Sequence, residues 1–353
     1  MASTRRETVV EGEEGVYHCI SRCVRRAFLC GRDPYTGQSF EHRKEWVQRR
    51  LEFLAALFAV EVCAYAVMSN HLHVVIRTRP DWAEGWSDEE TARRWLVLCP
   101  PRDEKGRRLP LSAEMAKAFS LNGAIGEKRV RLGSVSWFMR CLNETIARWA
   151  NREDGCKGRF WEGRFKCQSL LDDAAVLACL VYVDLNPVRA GLADSPETSL
   201  FTSGYERISA LEVRDRAEAR PETALAPTLA QSKTLDREER CCGPNDWLCP
   251  LGGGTPCSRR GILDLTVEDY LSLLDWSGRQ LKTPAAGTIP AHLDPILDRL
   301  GIEKDNWPQL LENYEVMFHR VVGRVGSIRK AARKAGLKWF QGLRSSRASF
   351  SNL

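Results

Sequence analysis

Two histidines one residue apart, His71 and His73 in SNHLHVVIRT, have the spacing of a metal-ligand pair. Side chains two apart on a strand project to one face, so both imidazoles sit together while Leu72, Val74 and Ile76 take the other. Imidazole suits Mn, Zn, Ni or Fe better than Mg. Read blandly, the same pair is two half-buried polar residues in a sheet. A second pair, Tyr182 and Asn186 in YVDLNPVRAGL, is spaced one helical turn apart on one helix face. A phenol with its usual pKa of about 10 is a poor nucleophile, but a metal-bound phosphate is a good electrophile for it. Beside Val181 and Val183 the tyrosine also reads as a core residue, and Asn-Pro as an ordinary helix stop. The third feature is basic and aromatic: Lys157, Arg159, Phe160, Trp161, Arg164 and Lys166. Cations contact phosphates and aromatic faces stack on unpaired bases; the bland version is an exposed polar strand.

The elements that must position these residues follow from periodicity. Residues 15–24 alternate as a first strand, and 45–60 carry Trp46, Leu51, Leu54 and Leu57 at helical spacing. Residues 61–68 and 71–78 read as two strands joined at Ser69-Asn70. Residues 79–133 are rich in charge, Pro and Gly and read as an inserted, partly helical elaboration. Residues 134–154 restore a helix striped with Phe138, Cys141, Leu142, Ile146 and Trp149, and 155–171 read as loop then strand. The next helix, 172–186, has a cap in Asp172 or Asp173, and Pro187 disfavours helical dihedrals at Asn186. This alternation predicts an α/β or α+β domain over about 10–200, built on one mainly antiparallel sheet. Residues 205–255 read as a linker, and 260–345 as a small all-helical region.

Length and composition are those of a globular chain: 353 residues, 43% hydrophobic and 28% charged. No apolar run reaches the roughly 18 residues of a membrane span, and the first residues show no signal-peptide core. A cytoplasmic protein with no membrane partner is therefore expected, its thirteen cysteines mostly free, buried thiols. Cys241, Cys242, Cys249 and Cys257 cluster without paired C-x-x-C spacing, which leaves a structural zinc as the minority alternative. Net charge is +6, unevenly placed: after Glu315 there is no acidic residue but nine cations, among them Arg329, Lys330, Arg333 and Lys334. Such a tail either attracts a polyanion such as nucleic acid or is simply solvated.

Taken in order, YHCISR, MSNHLHVVI and GRFWEGRFK…DD…YVDLNPVRAGL resemble the HUH single-tyrosine transposases, particularly the REP-associated branch, over about residues 14–195. The resemblance implies a ferredoxin-like antiparallel sheet carrying the histidines. It implies that His71 and His73 bind a divalent cation (Mg or Mn), that Asn186 completes the metal site, and that Tyr182 is the nucleophile. The substrate would be single-stranded or hairpin DNA, nicked and rejoined through a 5′-phosphotyrosine. Arg22, Lys157, Arg159, Trp161, Arg164 and Lys166, with the basic tail at Arg329, Lys330, Arg333 and Lys334, are the expected DNA contacts. His18 is expected to line the site. Monomer and homodimer both remain open, as does a hairpin-binding protein without strand transfer.

Overall fold

The computed structural model describes residues 8–24, 29–33, 36–121, 123–219, 247–252, 259–282 and 292–351. Five strands form one sheet: β1 (Val16–Arg22), β2 (Val60–Val67), β3 (His71–Thr78), β4 (Lys166–Leu170) and β5 (Val321–Val322), in the order β2-β3-β1-β4-β5. The first four pair antiparallel. Helices α1 (His42–Leu57) and α6 (Val135–Glu153) make the two crossovers. This βαββαβ connectivity is the ferredoxin-like arrangement expected from the sequence. The sheet is mixed, because the two-residue β5 runs parallel to β4. Four helices fill the insertion: α2 (Pro80–Gly85), α3 (Asp88–Leu98), α4 (Ala113–Ser120) and α5 (Ile125–Leu132).

The pleat divides the molecule into two cores. On one face Tyr17, Cys19, Leu72, Val74 and Ile76 pack with Leu51 and Leu54 of α1 and Phe138, Leu142 and Ile146 of α6. On the other, Ala64, Ala66 and Val75 meet helix α7 (Asp173–Asp184), which is apolar nearly all round and buried along its length. A helix of that composition needs cover on every side. The cover comes from the C-terminal region. After the short α8 (Asn186–Arg189), α9 (Ser203–Ala219), α10 (Val267–Lys282), α11 (Asp294–Arg299) and α12 (Trp307–Met317) follow in order. From them Tyr270, Leu273, Leu274, Leu297, Trp307, Leu310, Leu311 and Tyr314 join the α7 core. A last pair, α13 (Val325–Lys334) and α14 (Leu343–Ser349), packs through Ile328, Ala332 and Phe340 onto Val321.

Both ends of α7 are fixed by side chains. Asp172 is the cap, its carboxylate accepting from the Ala175 amide at 3.1 Å and from the Arg324 amide at 2.7 Å. At the other end Asp184 accepts hydrogen bonds from the Ser203 hydroxyl and, at 2.6 Å, from Tyr270. Gly204 permits the close approach of α9, since a Cβ there would lie 3.1 Å from Asp184 and 3.0 Å from Leu274.

Three boundaries differ from the sequence reading. The segment read as a linker opens with α9, held by buried polar contacts that periodicity does not register. Arg207 donates to the Cys63 and Cys249 carbonyls at 3.0 and 3.1 Å, while Glu206 accepts from Gln48 and Trp247. The rest of that segment, residues 220–246, lies outside the described residues, as do Cys241, Cys242 and Cys257; Cys249 is a buried free thiol. Residues 318–322, read as helix, are extended from Phe318 onward and supply β5. Asn186 does not close α7 but opens α8 beyond it. Among the described residues no helix is long and apolar enough to cross a membrane.

A buried ion cluster ties β2 to β3 and to the C-terminal half. Glu61 receives Arg77, Arg79 at 3.1 Å and Arg259 at 2.9 Å. Burial pushes the Glu61 carboxyl up, but Arg77 and Arg259 outweigh it and hold the group below its usual value. A depressed carboxyl adds stability that is complete above its unfolded value and is lost as pH falls through the folded one. Glu61→Gln, which takes the shared carboxylate charge from Arg77 and Arg259 while Arg79 keeps Asp81, should therefore cost about 3–5 kcal/mol in urea denaturation at pH 7. It should also flatten the decline in stability that the parent shows below about pH 4.5, the usual value for this carboxyl.

Candidate active site

The strand pleat brings three imidazoles to the face of the sheet that α7 covers. His18 and His73 stand on the adjacent strands β1 and β3, with ring centroids 5.1 Å apart; both are wholly buried. His71 opens β3 directly opposite Arg22, and its ring lies 4.8 Å from that of His73. The alternation expected of this strand holds, because Leu72, Val74 and Ile76 belong to the opposite core.

Tyr182 descends from α7 onto this group. Its ring lies 5.8 Å from His73 and 6.1 Å from His18, edge-on to both. Asn186 follows one turn on, its amide nitrogen donating to the Tyr182 carbonyl at 3.1 Å. The Arg189 guanidinium lies 4.8 Å from the centre of the Tyr182 ring. Burial, and then the Glu315 carboxylate, raise the Tyr182 phenol above its ordinary value, while Arg189 and Asn186 oppose them. A phenol in this setting is protonated at neutral pH and needs a proton acceptor before it can attack.

Burial likewise dominates the histidines. It lowers His18 to about 4 against the Gln168 hydrogen bond. It lowers His71 to about 4 with the help of Arg22 and Lys166, and His73 falls well below its usual value beside the other two imidazoles. All three rings are therefore neutral at pH 7, the form that ligates metals. The His71 Nδ1 lies 2.5 Å from Asn70 Oδ1. Among the described residues His73 Nε2 is a buried nitrogen with no hydrogen-bond partner, 4.0 Å from a Glu315 oxygen and thus beyond hydrogen-bonding distance. A buried ring nitrogen without a partner, beside a second imidazole, fits a divalent transition-metal cation. Among the described residues no three His, Cys, Asp or Glu side chains form a metal-binding group. The imidazoles at hand are those of His71 and His73, and Asn186 stands one turn beyond Tyr182 with its amide nitrogen turned back to the Tyr182 carbonyl.

Residues outside the expected set close the site. Tyr314 of α12 stacks on Tyr182 at 4.5 Å between ring centres, tilted by 20°. Gln168 of β4 joins His18 to the Phe318 carbonyl. Gln168 had a signal in the sequence, since alternation from Leu170 places a polar side chain on a core-facing position. Trp307, Leu310, Leu311 and Tyr314 form a visible helical stripe, but nothing in that stripe says which surface it covers.

The expected DNA contacts separate into groups. Arg22 and Lys166 are exposed on neighbouring strands at the His71 end. Lys157, Arg159 and Arg164 are exposed on the loop between α6 and β4. Trp161 is a correction: it is buried against the core, and its indole donates to the Asn143 carbonyl at 2.8 Å, so its face is not offered to a base. Arg329, Lys330, Arg333 and Lys334 lie on the exposed side of α13, with Lys334 paired to Glu13.

No family model and no curated protein matches the chain. Among solved structures it is similar to a REP-associated tyrosine transposase bound to a REP hairpin, at 12% identity and a TM-score of 0.35, over 59% of this chain and 86% of that one.

Tyr314 is the direct test of how the site is closed. Its ring is fully buried, and its hydroxyl, beside the Cys179 thiol, makes no hydrogen bond among the described residues. Tyr314→Ala should cost about 3–5 kcal/mol and make Tyr182 open to nitration by tetranitromethane, located by peptide mass spectrometry. Tyr314→Phe should stay within about 1 kcal/mol of the parent and leave Tyr182 protected.

Proposed function

We propose that this chain is a metal-dependent DNA strand transferase that nicks and rejoins single-stranded or hairpin DNA through Tyr182. The observation that carries the reading is the convergence of Tyr182 on two neutral imidazoles, one of them presenting a buried nitrogen without a partner. A core histidine pair has no use for such a nitrogen, because an unsatisfied buried polar atom costs about 1–3 kcal/mol. A divalent cation held by His71, His73 and Asn186 would polarise a non-bridging oxygen of the scissile phosphate.

The residues of the chain supply the rest. Tyr182 Oη attacks phosphorus, the bond from phosphorus to the 3′ oxygen breaks, and that oxygen leaves as a hydroxyl carrying the proton given up by the phenol. The product is a 5′-phosphotyrosine, and attack by a 3′-hydroxyl reverses the step without hydrolysis. Glu315, whose carboxylate charge acts on the phenol, would receive its proton. Arg189 over the ring favours the phenolate. Arg22 and Lys166 at the mouth of the site, with the loop cations Lys157, Arg159 and Arg164, supply the positive potential that a phosphate backbone follows.

One observation favours a second reading, a hairpin-binding protein that does not cleave. Tyr182 is 1% exposed beneath Tyr314, so attack requires α12 to withdraw. If α12 never withdraws, the exposed cations still bind DNA and the tyrosine is inert.

Incubating the full chain with a hairpin-bearing single-stranded oligonucleotide from the flanks of its own gene, plus Mn or Mg, separates the two. Strand transfer predicts a protein–DNA adduct that survives denaturing electrophoresis, is abolished by Tyr182→Phe and falls to background in His73→Ala. Binding in a gel-shift assay with no adduct on any flanking sequence would establish the second reading instead.

A further inference from the structure

The buried imidazoles are wired in one direction. The Gln168 side-chain nitrogen lies 2.7 Å from the Phe318 carbonyl, which only accepts hydrogen bonds. The amide must therefore place its nitrogen there and its oxygen toward His18, whose Nδ1 lies 2.8 Å away. An amide oxygen also only accepts, so His18 carries its proton on Nδ1. A neutral imidazole has one proton, which leaves His18 Nε2 as an acceptor. The atom facing it, at 2.9 Å, is His73 Nδ1, which must donate. His73 is thus left with a bare Nε2, and this is the nitrogen that finds no partner among the described residues. Four groups on β4, β1, β3 and the turn after α12 settle the protonation of one ring, and a backbone carbonyl sets the sense of the whole run.

We propose that His18 and Gln168 are positioning residues that, with the Phe318 carbonyl, lock His73 in the tautomer protonated on Nδ1 and aim its Nε2 lone pair into the site. The proposal deepens the reading of His71 and His73 as cation ligands and rests on it for its purpose, although the tautomer itself does not depend on a metal. Ligating histidines commonly donate their second ring N–H to a fixed acceptor, and loss of that acceptor weakens metal binding about 10–100-fold. Here the acceptor is a third imidazole, itself held by an amide. His71 differs, because its Nδ1 faces the Oδ1 of Asn70, a side chain of the turn between β2 and β3 rather than of a neighbouring strand. The extended turn at Phe318 gains a function as well: by ending α12 there, the chain presents the carbonyl on which the run terminates.

The chain has six histidines, few enough to resolve by long-range proton–nitrogen correlation NMR of the full, metal-free protein labelled with ¹⁵N-histidine. Single His→Gln variants assign the rings. The proposal predicts that His18 and His73 both carry the proton on Nδ1 at pH 7. It also predicts that Gln168→Met, which keeps the volume but removes both hydrogen bonds, mixes the His73 tautomers and weakens Mn binding in calorimetry about 10–100-fold. A His73 protonated on Nε2 in the parent overturns the proposal. So does a folded Gln168→Met protein with the His73 tautomer and Mn affinity unchanged. The functional reading fails differently: if the parent shows the expected tautomers but takes up no Mn or Mg, the run of hydrogen bonds stands and the metal site does not.

Discussion

Because side chains alternate faces along β3, a strand buried on both sides must put each polar residue where a polar partner waits. That constraint governs the site. On the α1 and α6 side the strand offers Leu72, Val74 and Ile76 to an apolar core. On the α7 side it offers His71, His73 and Arg77, of which His73 and Arg77 draw in partners from other strands. Arg77 meets Glu61, and His73 meets His18 and, through it, Gln168. A register slip of one residue would put both histidines into the apolar core and Leu72 beside Tyr182. The pairing of β3 with β1 therefore holds the fold and the site together.

The second constraint comes from α7. A helix this apolar cannot sit on the sheet with its outer face in water, and the C-terminal helices supply its cover. They do so directly over the chemistry, since Tyr314 stacks on Tyr182, Glu315 approaches the phenol and His73, and the Phe318 carbonyl ends the run of hydrogen bonds that begins at His73. Stabilising the tyrosine helix and closing the site are here one act of packing. The C-terminal region is thereby coupled to a centre whose candidate ligands and nucleophile all lie at or before Asn186.

Much of this was legible in the sequence. The period-two pattern of residues 71–78 gave the faces of β3, and the apolar run after Asp172 gave α7 with its cap. The order of strand and helix signals gave an α/β domain on one mainly antiparallel sheet, because those signals depend on neighbouring residues alone, while the ferredoxin-like arrangement was implied by the resemblance. Three kinds of feature were not legible. Helix α9 is held by Arg207 and Glu206 reaching buried carbonyls and side chains far away, so no local stripe announces it. Trp161, in a basic and aromatic stretch, looked like a stacking platform, whereas its indole is fixed by the Asn143 carbonyl. Tyr314 was visible as a buried residue of an amphipathic helix, yet its partner is set by long-range packing. The same holds for His18: its alternation put it in the sheet, and only the neighbouring strands show that it links Gln168 to His73.

The central claim is that His71 and His73 together hold a divalent cation beside Tyr182. Electron–nuclear double resonance of the Mn-loaded full chain, labelled with ¹⁵N-histidine, addresses it without reference to DNA or turnover. Two resolved nitrogen couplings are predicted, one of them lost in His71→Ala and the other in His73→Ala. A fully hydrated Mn signal, or nitrogen couplings that survive both substitutions, would contradict the account.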